Sequence, residues 1–450
     1  ISVKTRLPIG EMSMVSVSCG GKKFAIKSIG CRTNQEEMVT LRIQLEKNGY
    51  AFTDWVHDAD YIIVNSCAVT ASTESKTRRL LSALSSSAPQ AKILITGCLA
   101  QQKPSELKSL RNVHWVVGNT FKNDIVSIIA HDDGVFHDSF KGTISSLDLD
   151  TSEVASPLDE NGKTRFPLKI QEGCNFRCSY CIVPSLRGPS RSVSFASVLE
   201  LCKNAVVAGY KELVFTGTHI GQFGEGDFRL ERLLSEICCL DGDFRVRLSS
   251  LDPRDVSDAL LDLIITNERI CDHLHISFQS MSPKVLGLMK RPYENLTVMI
   301  QRLKDFRRAL PFAGIGADFI VGHPGETDTD FQESVDTIRQ IEFSYAHIFR
   351  YSMRPGTDAA VMSNQVVESV KTSRSAILQT VIDESRNSFL KKIDGITKKI
   401  IVESENPVRG LTSNYIHVEI PLCKASRNEW LTVRLKPLTQ GRYCLAEPVR

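Results

Sequence analysis

The sequence contains no run of about 18 consecutive apolar residues, so we predict neither a membrane-spanning helix nor a membrane partner. It also lacks a strong charge imbalance. With 55 basic against 52 acidic residues, its net charge of +3 is weak evidence for nucleic-acid binding. Its 13 cysteines do not show the paired, regular spacing that frames a small secreted protein. We therefore predict a globular, cytoplasmic protein whose thiols are reduced.

The first 21 residues have basic side chains without a continuous apolar core, which argues against a signal peptide. The sequence does not begin with methionine, and this stretch looks like the remnant of a leader.

Three cysteines lie close together in the middle of the chain. Cys174, Cys178 and Cys181 have the spacing Cys-x3-Cys-x2-Cys, which chance yields on the order of once in a hundred chains of this composition. Three thiolates can hold three irons of a four-iron cluster and leave the fourth iron free for a small molecule with amino and carboxylate groups, such as S-adenosylmethionine. The alternatives are unliganded cysteines and a structural zinc site, although zinc usually takes a fourth protein ligand.

Residues 22–135 alternate apolar strands with amphipathic helices, as expected of a doubly wound parallel sheet in an α/β protein. The predicted strands are 23–29, 61–65, 92–96 and 115–117, and the predicted helices are 34–47, 72–85, 104–110 and 122–130.

Single cysteines follow three of these strands at the same offset. Cys31, Cys67 and Cys98 each lie two residues past a predicted strand. Because the carboxyl ends of parallel strands meet at one edge of a sheet, the three thiols are expected to gather there. They would form either a second three-thiolate site or ordinary buried cysteines that act as small hydrophobic side chains.

The middle of the chain repeats a strand–helix unit six times. Polar, turn-rich residues 136–164 are predicted to be a linker, and residues 165–391 a partial TIM-like (βα)6 barrel. An active site in such a barrel lies at the carboxyl ends of the strands. The predicted strands are 167–171, 212–216, 245–249, 273–277, 317–321 and 346–350. Four further cysteines are predicted to be packing residues: Cys202, Cys238, Cys239 and Cys271.

Residues 392–450 carry 10 basic and 6 acidic residues, so the positive excess of the chain lies in this tail. Short strands at 400–403, 415–420, 431–435 and 443–447 predict a small antiparallel barrel, which suits an RNA-binding module or a plain interaction domain. The candidates for phosphate contact, with solvated surface charge as the alternative, are Lys398, Lys399, Arg409, Lys424 and Arg427.

Four segments resemble a known family. The central cysteine motif, with Tyr180 before its last cysteine, resembles the signature of the radical S-adenosylmethionine (radical SAM) superfamily. Residues 30–35, 65–70 and 96–101 resemble the cluster-binding motifs of the methylthiotransferase N-terminal domain, and residues 410–416 resemble the RNA-binding TRAM barrel.

This resemblance implies S-adenosylmethionine and two [4Fe–4S] clusters as cofactors. It assigns the radical SAM cluster to Cys174, Cys178 and Cys181, and an auxiliary cluster to Cys31, Cys67 and Cys98.

The resemblance also implies cofactor contacts at the ends of the barrel strands. Ordinary turn chemistry is the alternative for each of these positions. Arg187 and Arg191, which follow the cysteine motif, suit a cofactor carboxylate, an RNA phosphate or a solvated turn. The implied cofactor-binding residues are Thr216, Gly217, Thr218, Ser250, Gln279, Val321 and Gly322.

The implied activity is radical insertion of a methylthio group at C2 of N6-threonylcarbamoyladenosine 37 in tRNA, with the auxiliary cluster delivering the sulfur. Residues 216–224 and 347–352 resemble the threonylcarbamoyladenosine group of the family. The alternatives are N6-isopentenyladenosine in tRNA, an aspartate of ribosomal protein S12, and a non-enzymatic iron–sulfur RNA-binding regulator. The implied partners are a tRNA anticodon stem-loop and an electron donor such as flavodoxin or ferredoxin, and we expect a monomer.

Overall fold

The structure is a computed structural model that describes residues 3–4, 21–130, 133–137, 154, 156–157, 164–291, 296–421, 423–436 and 443–449, without the side chains of Val3, Lys4 and Arg32. The predicted leader remnant (1–21) and the predicted linker (136–164) lie almost wholly outside these ranges.

The first sheet is parallel throughout, with strand order β1-β7-β6-β5-β4-β2-β3. Its strands are β1 (Val3–Lys4), β2 (Lys23–Ser28), β3 (Ala51–Phe52), β4 (Tyr61–Ser66), β5 (Lys92–Gly97), β6 (Val113–Val117) and β7 (Gly134–Phe136). Its helices are α1 (Arg32–Lys47), α2 (Ala71–Ser87), α3 (Cys98–Gln102), α4 (Pro104–Lys108) and α5 (Ile125–Ile129).

Each face of this sheet has its own hydrophobic core. Alternate residues of a strand point to opposite faces. In β4, accordingly, Ile62 packs with Leu81 of α2 on one face, and Ile63 packs with Leu45 of α1 on the other. The doubly wound prediction is therefore confirmed. The predicted helix 122–130 begins instead as a 3₁₀ turn, Asn119–Asp124.

The central region provides six parallel strands in two three-strand runs, β8-β10-β11 and β12-β13-β14, joined by isolated parallel bridges. A short strand, β9, pairs antiparallel with β8. The strands are β8 (Phe166–Glu172), β9 (Arg191–Ser192), β10 (Glu212–Gly217), β11 (Arg245–Leu248), β12 (His273–Gln279), β13 (Gly314–Val321) and β14 (Tyr345–Arg350). The helices are α6 (Val183–Arg187), α7 (Phe195–Val207), α8 (Leu230–Cys238), α9 (Asp258–Thr266), α10 (Pro283–Leu288), α11 (Leu296–Ala309), α12 (Asp328–Ile338) and α13 (Glu368–Lys392).

The C-terminal strands close into a barrel in the order β15-β16-β17-β19-β18. Five strands cannot alternate in direction all the way round a ring, so one neighbouring pair, β17 with β19, is parallel, whereas the prediction was antiparallel. Tyr415 has a φ of 68°, which delays the strand predicted at 415–420 until His417. The strands are β15 (Thr397–Glu405), β16 (Val408–Thr412), β17 (His417–Ile420), β18 (Trp430–Lys436) and β19 (Cys444–Pro448).

A buried ion cluster attaches this barrel to the central region. The carboxylate of Glu212 is fully buried and accepts hydrogen bonds from Arg245 Nε at 2.6 Å and Arg247 Nε at 2.8 Å. The two guanidinium groups also donate to the backbone carbonyls of residues 411–413, at 2.7 to 2.9 Å. One buried carboxylate thus orients both arginines that hold the barrel in place.

We expect Glu212→Gln to lower the free energy of unfolding by about 3–5 kcal/mol, because two buried arginines would lose their counter-charge. Burial opposes ionisation of Glu212, but Arg247 and Arg245 hold its pKa below the ordinary 4.5. This contribution is therefore complete above pH 4.5 and is lost as the pH falls below it. Urea unfolding across this pH range measures both effects. The exposed Glu200→Gln is the matched control, and equal stability of the two variants would contradict the assignment.

Candidate active site

The cysteine loop after β8 is fixed by close backbone contacts. Gly173 has a φ of 78°, and a Cβ there would lie 1.9 Å from the carbonyl oxygen of Pro189, so only glycine fits. Cys174 N donates to Gly188 O at 3.1 Å. Further along the loop, the hydroxyl of Ser179 lies 3.0 Å from Nε2 of the buried His323. The loop therefore holds its three thiols on a constrained backbone.

Two cationic side chains contact these thiols. Nδ1 of His219 lies 3.5 Å from Cys174 Sγ, and its Nε2 lies 2.5 Å from Asp255 Oδ2. Burial opposes charge on His219, but the hydrogen bonds to Asp255 and Cys174 raise its pKa to about 9. Arg291 Nη1 lies 3.6 Å from Cys178 Sγ. Both contacts place a cationic group beside a sulfur atom of the loop.

The second set of thiols gathers at the carboxyl edge of the first sheet. Cys67 is buried, and a Cβ at Gly30, whose φ is 123°, would lie 2.6 Å from Cys67 Cβ. Burial, and then the proximity of Cys98 and Cys31, raise the pKa of the Cys67 thiol to about 11. The predicted convergence of Cys31, Cys67 and Cys98 is therefore present in the fold.

A buried ion network lies beside this second set and connects the two sheets. Arg187 Nη1 donates to Glu37 Oε1 of α1 at 2.8 Å and to Glu172 Oε1 of β8 at 2.7 Å. Arg187 is only 3% exposed, so the solvated turn proposed for it is wrong. The other cations of the network are Lys122, Lys169 and Arg191.

Among the residues that the structure describes, the network carries more positive than negative charge. Its four cations face two carboxylates, and the charge of Arg187 interacts with Cys98 and Cys31. A surplus of buried cations is costly unless an anion lies close by. An iron–sulfur cluster held by Cys31, Cys67 and Cys98 would supply negative charge at this place, so the surroundings fit such a group.

Neither cysteine set suits a single metal ion. A zinc ion with 2.3 Å bonds keeps its thiolates within about 4 Å of one another. Among the described residues, the one group of three potential ligands within 4.8 Å of one another is His275, Asp318 and His347. The wider spread of both cysteine sets fits a cluster better than the zinc alternative.

A cavity of about 1250 Å³ joins the first sheet to the barrel strands. Cys31 and Cys67 line one side of it, and Thr216, Gly217 and Ser250 of the predicted cofactor contacts line another. The remaining predicted contacts do not line it. Of these, Gln279 has a left-handed φ of 69° at the end of β12, and the amide of Gly322 donates to Glu326 Oε2 at 2.6 Å. The others are Thr218 and Val321.

The predicted RNA contacts divide into two groups. Lys398 pairs with Asp272 at 2.6 Å, and Arg409 pairs with Glu419 at 2.8 Å, so both charges are already neutralised. The other three, the exposed Lys399 and Lys424 and the half-exposed Arg427, form no ion pair with another described residue.

Sequence reasoning missed several residues that build the site. Gln171 Oε1 accepts from His219 N at 2.7 Å, and Gln171 Nε2 donates to Gly173 O at 2.8 Å, which links two strand ends. Arg291 reaches the cysteine loop from 113 residues away, and no local signal marks it. Of the four cysteines predicted to pack, Cys239 is exposed, so that prediction was wrong for it.

Known proteins match the chain along most of its length. The model of the Radical SAM superfamily matches residues 168–338, and that of Uncharacterized protein family UPF0004 matches residues 23–118. The threonylcarbamoyladenosine tRNA methylthiotransferase MtaB of Thermotoga maritima is 37% identical over 430 residues, covering 93% of this chain and 95% of that protein. The tRNA-2-methylthio-N(6)-dimethylallyladenosine synthase of Clostridium novyi is 32% identical over 399 residues, covering 85% and 86%.

The chain belongs to the radical SAM tRNA methylthiotransferase family. The predicted family, fold class, enzyme class and cofactors, S-adenosylmethionine and [4Fe–4S], are thereby confirmed. The radical SAM methyltransferase TsrM of Kitasatospora setae shares the fold, with a TM-score of 0.59 at 12% identity over 76% of this chain and 75% of that one. No helix in the described part of this methylthiotransferase is long and apolar enough to cross a membrane.

We expect Arg187→Met to destabilise the methylthiotransferase by about 3–5 kcal/mol, because Glu37 and Glu172 would lose the arginine that they share. The midpoint of urea unfolding measures this loss. Arg79→Met is the matched control, because Arg79 is exposed on α2 and should change stability by less than about 0.5 kcal/mol. Equal midpoints for the two variants would show that the network does not hold the sheets together.

Proposed function

We propose that this methylthiotransferase inserts a methylthio group at C2 of N6-threonylcarbamoyladenosine 37 in tRNA. The observation that carries the proposal is one cavity lined both by Cys31 and Cys67 of the first sheet and by the strand ends of the barrel. Sulfur delivery and hydrogen abstraction must act on one carbon atom, and a cavity between the thiols of the first sheet and the barrel strand ends allows this, although its lining does not include Cys174, Cys178 or Cys181. The relatives from Thermotoga maritima and Aquifex aeolicus, named for the threonylcarbamoyladenosine reaction, support the substrate assignment.

Two three-cysteine sets would hold the clusters. The radical SAM cluster belongs to Cys174, Cys178 and Cys181, and the auxiliary cluster to Cys31, Cys67 and Cys98. When bound, the first cluster with S-adenosylmethionine supplies a radical that removes hydrogen, and the second supplies the sulfur group. The proposed contacts for S-adenosylmethionine are the residues predicted from the sequence: Thr216, Gly217, Thr218, Ser250, Gln279, Val321 and Gly322.

The chain's own side chains prepare these sites. His219 contacts the sulfur of Cys174 and Arg291 that of Cys178, and Asp255 holds His219 in position. Burial lowers the pKa of His323 to about 4, so its neutral ring accepts a hydrogen bond from Ser179 and fixes the loop. Arg187 offsets negative charge at the auxiliary site.

We divide the chain into an N-terminal domain (22–135), a linker (136–164), a radical SAM domain (165–391) and a tail barrel (392–450). The tail barrel is the proposed RNA-binding domain. Lys399, Lys424 and Arg427 are the proposed phosphate contacts, whereas Lys398 and Arg409 would first have to leave their carboxylate partners. The partners are the anticodon stem-loop of tRNA and an electron donor such as flavodoxin or ferredoxin. The protein acts as a monomer in the cytoplasm.

The substrate is tested with anaerobically reconstituted protein, reductant and S-adenosylmethionine. We expect a methylthio nucleoside, detected by mass spectrometry after digestion, from tRNA that carries threonylcarbamoyladenosine and none from tRNA that carries isopentenyladenosine. Product only from the second tRNA, or only on ribosomal protein S12, would move the assignment to that substrate. Failure to form deoxyadenosine in a fully reconstituted preparation would contradict the enzyme itself.

Cysteine substitutions separate the proposed sulfur donor from the proposed radical source. We expect Cys98→Ala to abolish the methylthio product but keep deoxyadenosine formation, because only the proposed sulfur donor loses a ligand. Cys178→Ala should abolish both, because the proposed radical source is lost. Cys239→Ala is the control, since this thiol is exposed and belongs to neither set. Sulfur insertion by the Cys98→Ala variant would remove the assignment of the auxiliary site.

A further inference from the structure

Three neighbouring barrel strands place a polar cluster on the cavity wall. His275 of β12, Asp318 of β13 and His347 of β14 all line the cavity, and Asp318 lies directly opposite His347 in the strand register. His275 Nε2 and His347 Nδ1 each lie 3.0 Å from Asp318 Oδ1. One carboxylate therefore orients two imidazoles.

Further contacts order the cluster. Nδ1 of His275 lies 2.9 Å from Tyr345 Oη. Tyr345 Oη lies 2.8 Å from Nε2 of His273. These contacts hold His275, which is 7% exposed, whereas His347 is 59% exposed and directs its other nitrogen away from Asp318. His347 is thus the member of the cluster that can meet a ligand.

The tail barrel braces this wall. Tyr415 stacks on His273, with ring centroids 4.5 Å apart, and on Tyr345 at 5.2 Å. The stack fixes the ring of Tyr345 and, through its hydroxyl, the cluster of His275, Asp318 and His347. The wall is therefore set before substrate enters.

Other cations that line the cavity are less suited to bind an anion. Arg350 and Lys371 both pair with Glu368, at 2.8 Å and 3.5 Å. Lys76 is exposed and belongs to α2. On the barrel wall, only one ring nitrogen of His347 contacts Asp318, so a carboxylate can reach the other nitrogen without displacing that pair, and a hydrogen bond to a carboxylate is a strong one.

The chemistry of the substrate matches this wall. C2 and the N6 substituent leave the adenine ring in different directions, so a base with C2 toward Cys31 and Cys67 directs its N6 substituent to another wall. The threonylcarbamoyl group ends in a carboxylate and a hydroxyl, whereas the dimethylallyl group is wholly apolar. A wall of two histidines and an aspartate suits the first and penalises the second, since an apolar group leaves its polar atoms unpaired.

We propose that His347 binds the carboxylate of the threonylcarbamoyl group, with Asp318 as its positioning residue. The inference rests on the proposed function and specifies which side chain selects the N6 substituent. No covalent step is involved.

The test uses anticodon stem-loop RNA with threonylcarbamoyladenosine, and the same RNA with its carboxylate converted to a methyl ester. Wild-type protein should prefer the acid in kcat/KM. His347→Phe should lower kcat/KM for the acid by about 10- to 100-fold, the range of one charge-assisted hydrogen bond, and leave the ester nearly unchanged. His347→Gln keeps a donor and should retain part of the preference. His114→Phe is the matched control, because His114 of β6 also pairs with an aspartate, Asp133, but does not line the cavity.

The outcomes are distinct. A wild-type protein that makes no methylthio product from the acid overturns the proposed function and this inference together. Product formation with an equal acid-to-ester preference in wild type and His347→Phe overturns the inference alone, as does loss of the preference in Lys76→Met instead. Metal content is measured in parallel, because His275, Asp318 and His347 could also hold a cation. Loss of one metal ion per chain in His347→Phe and His347→Gln would replace the carboxylate site with a metal site.

Discussion

Two buried glutamates, Glu37 on a helix of the first domain and Glu172 on a barrel strand, share one arginine, Arg187. Glu37 belongs to α1, which begins just after Cys31, and Glu172 ends the strand that leads into the other cysteine loop. The shared arginine thus fixes the end of β8, which precedes Cys174, relative to the end of β2, which precedes Cys31. Leu186, next to Arg187, packs into the core of the first sheet, so the hydrophobic and ionic contacts of this junction reinforce each other.

The tail barrel is attached to the central region by a related arrangement. Glu212 orients Arg245 and Arg247, and the two arginines donate to the backbone of the tail barrel. This contact places Tyr415 against His273 at the edge of the cavity. A domain proposed to bind RNA is therefore in direct contact with the wall proposed to read the modified base. In this proposal, the stack of Tyr415, His273 and Tyr345 connects binding of the substrate with its selection.

Local patterns were enough to predict much of this protein. Alternation of strands and helices gave the sheets, and the equal offset of Cys31, Cys67 and Cys98 from their strands gave the second thiol set, because strand ends meet wherever a parallel sheet forms. The ion network was beyond sequence reasoning. Glu37 has the appearance of a surface residue on a helix, and its partner Arg187 lies 150 residues away. The sequence analysis predicts four strands in the tail and misses β16 (Val408–Thr412). With β16 the barrel has five strands, and this odd number requires the parallel pair.

Burial disfavours the thiolate form of cysteines in both sets, and the thiolate is the form that binds a metal. Burial raises the pKa of Cys67 to about 11 and that of Cys181 to about 12, so both are protonated at neutral pH and metal binding must displace their protons. Nearby cations lower the free-energy cost of losing these protons, and the two cysteine sets obtain their cations from different parts of the chain. His219 and Arg291 both belong to the barrel, so the cysteine loop carries its own compensation. In the set of Cys31, Cys67 and Cys98, the charge of Arg187 interacts with Cys98 and Cys31, and Arg187 belongs to the barrel side of the junction. Formation of the proposed auxiliary site is therefore coupled to assembly of the junction, whereas the cysteine loop has cations from its own side of it.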